Sequence, residues 1–113
     1  MDYEQASDFE INKAVGLSIG LKPWDLQIAS DDTALIHELG REGVYYGRAR
    51  FDPCNNPSDA WPIIIENKIC IDNSILIDGW RAKHTWKEVG YLDENPLRAV
   101  MIVYLMMGEY DGE

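Results

Sequence analysis

The segment from Asn95 to Met107 constrains this chain more than any other. Asn95 followed by Pro96 is a helix start, because an asparagine side chain caps free amides and a proline in the first helical position gives up only an amide that has no partner. From Ala99 to Met107 the nine residues that follow are apolar on every face of a helix, so the helix must be wrapped by other elements. It reaches about half of the roughly 20 residues that a bilayer span requires, which makes it a core helix. Gly108 is expected to end it, leaving 109–113 as a frayed acidic tail.

The remaining elements follow from local signals. Ser7-Asp8-Phe9-Glu10 reads as a capping box, and Ile11, Ala14, Val15, Leu17 and Ile19 predict a helix over about 8–19 with Gly20 as its left-handed cap. Gly16 costs that helix roughly 1 kcal/mol against alanine, so it is expected to mark a close packing contact. Trp24, Leu26 and Ile28 alternate with polar residues as a strand does. Thr33 to Leu39 is a short apolar run open to strand or helix, with strand favoured, and Val44 to Phe51 reads as the strand that follows a hairpin-type connection at Gly40-Arg41-Glu42-Gly43.

The loop Asp52 to Asp59 is dense in turn-forming residues. With Asp59 as N-cap, a short helix over about 60–67 puts Pro62 in its first turn, where a missing amide costs little. Lys68 to Ile71 and Ile75 to Ile77 then read as strands flanking a tight turn at Asn73-Ser74, with another strand around Trp80. The order is helix, strands, helix, strands, helix with hairpin-length connections. This predicts a small single α+β domain over 1–113, an antiparallel sheet packed with about three helices, the C-terminal one buried.

Composition bounds the function. A chain of 113 residues, with about a quarter of them Ile, Leu, Val or Phe, can bury a core without metals or disulfides. Cys54 and Cys70 are accordingly expected to be reduced thiols. The formal charge is −10, which argues against binding duplex nucleic acid or an anionic membrane surface. The acidic start Met-Asp-Tyr-Glu-Gln has neither the basic segment nor the apolar run of a signal peptide, so a cytoplasmic location is expected.

No complete catalytic or cofactor motif is present. His37, Cys54, Cys70 and His84 lack the pairwise spacing of a zinc site, and they are expected to be packed cysteines and partly exposed histidines. Cys54 before a helix start, with His84 or His37 as base, is the one formal nucleophile arrangement. The glycines form no phosphate cradle, so no cofactor is expected. Arg81, Lys83, His84 and Lys87 interleave with Trp80 and Trp86, a pattern that serves single-stranded nucleic acid or, on a strand, a solvated face opposite a buried tryptophan face. The acidic excess admits a DNA mimic, although the carboxylates are dispersed as in ordinary solubilising surfaces.

Arg98 breaks a local rule. It stands at N3 of the last helix, where a cation opposes the helix dipole, so it is expected to answer a specific anion: Asp59, Asp93, Glu94 or a bound ligand.

Four stretches, Ser7 to Lys13, Cys54 to Ile64, Trp80-Arg81-Ala82 and Asn95 to Met101, resemble the NinX-like proteins of lambdoid phages and prophages. The resemblance covers most of the chain, with 21–50 matching least. It implies a phage or prophage accessory protein made in a bacterial cytoplasm, and it ties the loop 55–62, Trp80 and the helix start at 95–98 into one shared feature. The family carries no biochemical activity to transfer.

Ligand or partner contacts are therefore expected at Asn55, Asn56, Asp59, Trp61, Trp80 and Arg98. The leading expectation is a non-enzymatic protein that binds a host or phage protein. The alternatives are a small-ligand site or minor enzyme using the loop 55–62 and the start of helix 96–107, and an acidic DNA mimic. A ligand site predicts a pocket bordered by those polar groups, whereas an adaptor predicts them satisfied internally beside an exposed apolar patch.

Overall fold

A computed structural model describes residues 1–23, 33–41, 44–74 and 78–111. Among them are three helices and two small antiparallel sheets, the α+β class that the order of signals predicts. The chain divides into two compact units, Met1–Asp52 and Pro53–Glu113.

In the first unit, α1 (Asp8–Ser18) starts as expected: the Ser7 hydroxyl accepts from the Glu10 amide at 3.1 Å, and the Glu10 carboxylate accepts from the Ser7 amide. β1 (Leu35–Arg41) pairs antiparallel with β2 (Val44–Phe51). Their register shifts between Leu39 and Gly40, and Gly47 takes φ 125 just beyond the shift. This positive φ is open to glycine at little cost. A Cβ on Gly16 would stand 2.5 Å from Leu35 Cδ2, so the glycine does mark a close contact between α1 and β1.

Buried Asn12 ties the ends of this unit together. Its amide donates to the Thr33 carbonyl at 2.9 Å and to Asp52 at 2.6 Å, while the Thr33 hydroxyl donates to the other Asp52 oxygen at 2.7 Å. A buried amide of this kind is costly unless bonded, so the trio fixes how α1 meets the start of β1 and the end of β2. Pro23 makes an isolated bridge to His37. The strand expected over 24–28 and the residues at the tip of the hairpin lie outside the described residues.

The second unit carries α2 (Pro57–Asn67), β3 (Ile69–Ser74), β4 (Gly79–His84), β5 (Gly90–Asp93) and α3 (Pro96–Asp111), with sheet order β3-β4-β5. α3 packs against all three strands and α2, and Ala99, Val100, Met101, Ile102 and Val103 on it are fully buried. The all-apolar C-terminal helix is thus central to this unit. It does not stop at Gly108 but continues to Asp111.

Three other expectations are corrected here. α2 starts at Pro57, with Asn56 rather than Asp59 as N-cap, and Pro62 lies in its interior. Pro62 and Ser58 are both exposed, so the Ser58 carbonyl, which loses its amide partner four residues on, is open to water. β3 runs straight through Asn73 and Ser74, so the tight turn expected there does not form; the strand expected over 75–77 lies outside the described residues. Both histidines are buried, at 8% exposure each, because each finds partners inside. His84 Nδ1 accepts the amides of Trp86 and Lys87 at 3.0 Å, and the His37 ring packs edge-on to Phe51.

Candidate functional site: a polar junction and an apolar groove

Of the polar residues singled out in the sequence, Asn55 and Arg98 meet at Asn95 at the start of α3, while Asp59 lies in the first turn of α2. The Asn95 side-chain oxygen accepts from the amides of Leu97 and Arg98 at 3.0 and 3.3 Å, capping the helix. Its amide group donates to the Cys54 carbonyl at 2.7 Å and to the Asn55 side chain at 3.3 Å. One asparagine therefore caps α3 and holds the loop that leads into α2. Asn56 is turned the other way, accepting the Ser58 amide at 3.0 Å as the cap of α2.

Arg98 finds the anion that its position demands. Its Nη1 lies 2.6 Å from Asp93 Oδ2, with both side chains mostly buried, and Asp93 Oδ1 accepts the Asn95 amide at 2.9 Å. Of the four partners that the sequence allows, Asp93 forms a short ion pair with it. Asp93 pairs across the sheet with Trp80. A Cβ on neighbouring Gly79 would come 2.7 Å from the Asp93 carbonyl oxygen, so glycine is needed where β4 passes over the end of β5. Asn55, Asn95, Asp93, Arg98 and the backbone of Trp80 thus form one junction. Among the described residues, no buried side-chain nitrogen or oxygen lacks a hydrogen bond.

Trp61 belongs elsewhere. It is 60% exposed and lines a groove of about 510 Å³ with Ile64 and Ile65 of α2, Lys68 at the end of that helix, Ile69, Cys70 and Ile71 of β3, and Thr85. Ile65, one helical turn on from Trp61, is 54% exposed. α2 ends where Lys68 turns left-handed, at φ 58 and ψ 45, while its amide donates to the Ile64 carbonyl and the Asn67 side chain donates to the Ile63 carbonyl at 2.8 Å. That turn sends β3 back beside the helix and makes the groove. Ile65, Ile69 and Ile71 were not singled out in the sequence, yet the run Trp61 to Ile65 already held more apolar residues than one helix face can bury.

The remaining candidates are less well placed for chemistry. Cys54 is fully buried and Cys70 exposed, and both are free thiols. Among the described residues no group of three or more His, Cys, Asp or Glu side chains is placed to hold a metal ion. The basic cluster around β4 does not present a buried tryptophan face, because the strand ends at His84 and Trp86, beyond it, is 76% exposed. Ala82 and His84 occupy the buried face instead. Arg81 on the opposite face is bidentate to Asp72, at 3.2 and 2.9 Å. That hydrogen-bonded guanidinium holds the Asp72 carboxyl below its ordinary value, while Asp72 raises that of Arg81.

These features define a small α+β protein with an internally bonded polar junction and an open apolar groove. The model of the family described as Bacteriophage P22, NinX matches residues 2–108, and the chain belongs to that phage family. No curated protein and no solved structure matches it. Among the described residues no helix is long and apolar enough to cross a membrane.

Proposed function

We propose that this chain is a phage accessory protein that acts in the bacterial cytoplasm by binding a host or phage protein through the groove between α2 and β3. The observation that carries this reading is the exposure of Trp61 and Ile65, at 60% and 54%, beside an isoleucine-lined groove. Large aromatic and aliphatic side chains left open to water around a concavity are typical of protein interfaces. The polar groups of the junction at Asn95 favour the same reading, since they are engaged with one another. Asp72 and Asp93 each bind an arginine, which takes two carboxylates out of any phosphate-like array and weighs against a DNA mimic.

The test is affinity capture from infected and uninfected host lysates, using the intact chain and a Trp61→Ala/Ile65→Asp variant whose circular dichroism is unchanged. A partner recovered by the intact chain and lost with the variant is the expected result. Recovery of the same proteins by both overturns the groove as the binding surface.

A further inference from the structure

We infer that the groove takes an extended peptide segment of the partner, added as a new strand to the outer edge of β3, with a carboxylate of that segment against Lys68. This rests on the protein-binding reading above and specifies its mode.

β3 is an outer strand of its sheet, and the hydrogen-bond parity of that sheet can be read from its end. The Thr85 amide donates to the Lys68 carbonyl at 3.3 Å, whereas the next amide back, that of His84, turns away to the Val89 carbonyl at 3.2 Å. Antiparallel pairs alternate strictly between bonded and non-bonded positions. With the register Cys70↔Lys83 and Asp72↔Arg81, those two pairs exchange bonds. The amides and carbonyls of Ile69, Ile71 and Asn73 then point outward, and no backbone bond to them from outside the strand is present among the described residues.

Side chains alternate along the strand with the same period of two. Ile69 and Ile71 line the groove, so the strand offers a row of hydrogen-bonding groups and an apolar wall at the same residues. Trp61 and Ile65 form the facing wall on α2. An extended segment meets both demands at once, its backbone pairing with β3 while alternate apolar side chains enter the groove. An unpaired strand edge left open is otherwise a liability for aggregation.

Charge selects the occupant. Lys68 is the charged residue lining the groove, although the chain as a whole carries −10. A partner segment with an acidic side chain or terminal carboxylate complements it. A second copy of this chain brings another −10 with it, and the repulsion disfavours edge-to-edge pairing of two copies.

The test uses random dodecapeptides, displayed and selected on the purified full chain, followed by titration of the selected peptides. Expected are sequences with apolar residues at every second position and an acidic residue, together with slowed hydrogen exchange at the Ile69, Ile71 and Asn73 amides on binding. Methylating alternate backbone nitrogens of a selected peptide should weaken binding by about tenfold at one parity and little at the other. Ile71→Pro removes an amide that makes no bond to β4 and should weaken binding by about tenfold or more, with Ile71→Ala losing less; should Ile71→Pro unfold, the methylated peptides decide the matter. Lys68→Gln should weaken binding and flatten its salt dependence.

Apolar residues spaced three and four apart, with no protection of those amides, would overturn strand addition and leave the protein-binding reading standing. Failure to select any peptide would do the same. Peptides that bind Trp61→Ala/Ile65→Asp as well as the intact chain would overturn both. A concentration-dependent dimer that Ile71→Pro abolishes would assign the edge to a second copy and overturn the inference.

Discussion

The junction at Asn95 and the groove at Trp61 belong to the same unit of the chain, yet they treat their exposed chemistry in opposite ways. At the junction, polar groups that water would gladly solvate are turned inward and bonded to one another: Asn95 to Cys54 and Asn55, Arg98 to Asp93. At the groove, apolar groups that water disfavours are left outside. The first arrangement stabilises the fold by joining the loop 53–56 to α3. The second contributes little to it, since the surface it exposes is surface it fails to bury. Both contain residues that stand out in the sequence, so prominence alone does not separate a structural role from a binding role. The separation comes from asking where each group's partner is.

Substitutions can test that contrast directly. Arg98→Met leaves the Asp93 carboxylate mostly buried with its ion partner gone, and stability should fall by about 3 kcal/mol, read from denaturant unfolding. Asn95→Ala removes the cap of α3 and the bond to Cys54 together, for a loss of about 2 kcal/mol. Neither should change partner affinity once the fraction folded is taken into account. Trp61→Ala should do the reverse, shifting stability by no more than about 0.5 kcal/mol while weakening partner binding by about tenfold or more. If Trp61→Ala unfolds the chain, or Asn95→Ala abolishes binding in folded protein, the division fails.

Much of this was legible in the sequence where the signal is local. Ser7 with Glu10 and Asn95 with Pro96 specify their helix starts through groups at most three residues apart, and both form. The cation at position 98 required an anion, though only the packed structure chooses Asp93 among the possible partners. The start of α2 differs from the expected one because two local signals compete. Asn56-Pro57 is the same cap and proline pair as Asn95-Pro96, but accepting it puts Pro62 inside the helix. The cap prevails because Pro62 falls on the exposed face, where water can satisfy the carbonyl that it orphans. Asn73-Ser74 looks like a turn by composition, yet cross-strand pairing with Gly79 and Trp80 overrides it. β5 has four residues and no period to read, so its existence depends on β4 being there. The groove combines residues of α2 and β3 with Lys68 and Thr85, which no local signal brings together.

Lys68 links the two roles at one residue. It holds φ 58 at the end of α2, a left-handed conformation that costs a side chain roughly 1 kcal/mol and a glycine almost nothing. Helices commonly end on glycine at such a position. Lys68→Gly should therefore raise stability by roughly 0.5–1 kcal/mol, as an upward shift in the thermal midpoint, and weaken binding to an acidic partner segment. A stabilised variant that binds as tightly as the intact chain would place the partner's charge away from Lys68.

The smallest effect expected is on the outer face of the sheet, where Arg81 and Asp72 form a pair that resembles Arg98 and Asp93 in chemistry but not in setting. The Asp72 carboxyl is held below its ordinary value, chiefly by the hydrogen bond from Arg81, with burial opposing and the charges of Arg81 and Lys83 assisting. A carboxyl whose folded value is depressed contributes stability above its unfolded value and loses it as the pH falls through the folded one. Both side chains are nearly half exposed, at 45% and 49%, so solvent screens the pair and little stability depends on it. Carbon-detected titration of the Asp72 carboxyl should give a midpoint below that of an ordinary aspartate, moving up in Arg81→Gln with scarcely any change in the thermal midpoint at neutral pH. A large loss of stability in Arg81→Gln would mean that burial is not what separates the two ion pairs, and the contrast between the junction and the open surface would need another cause.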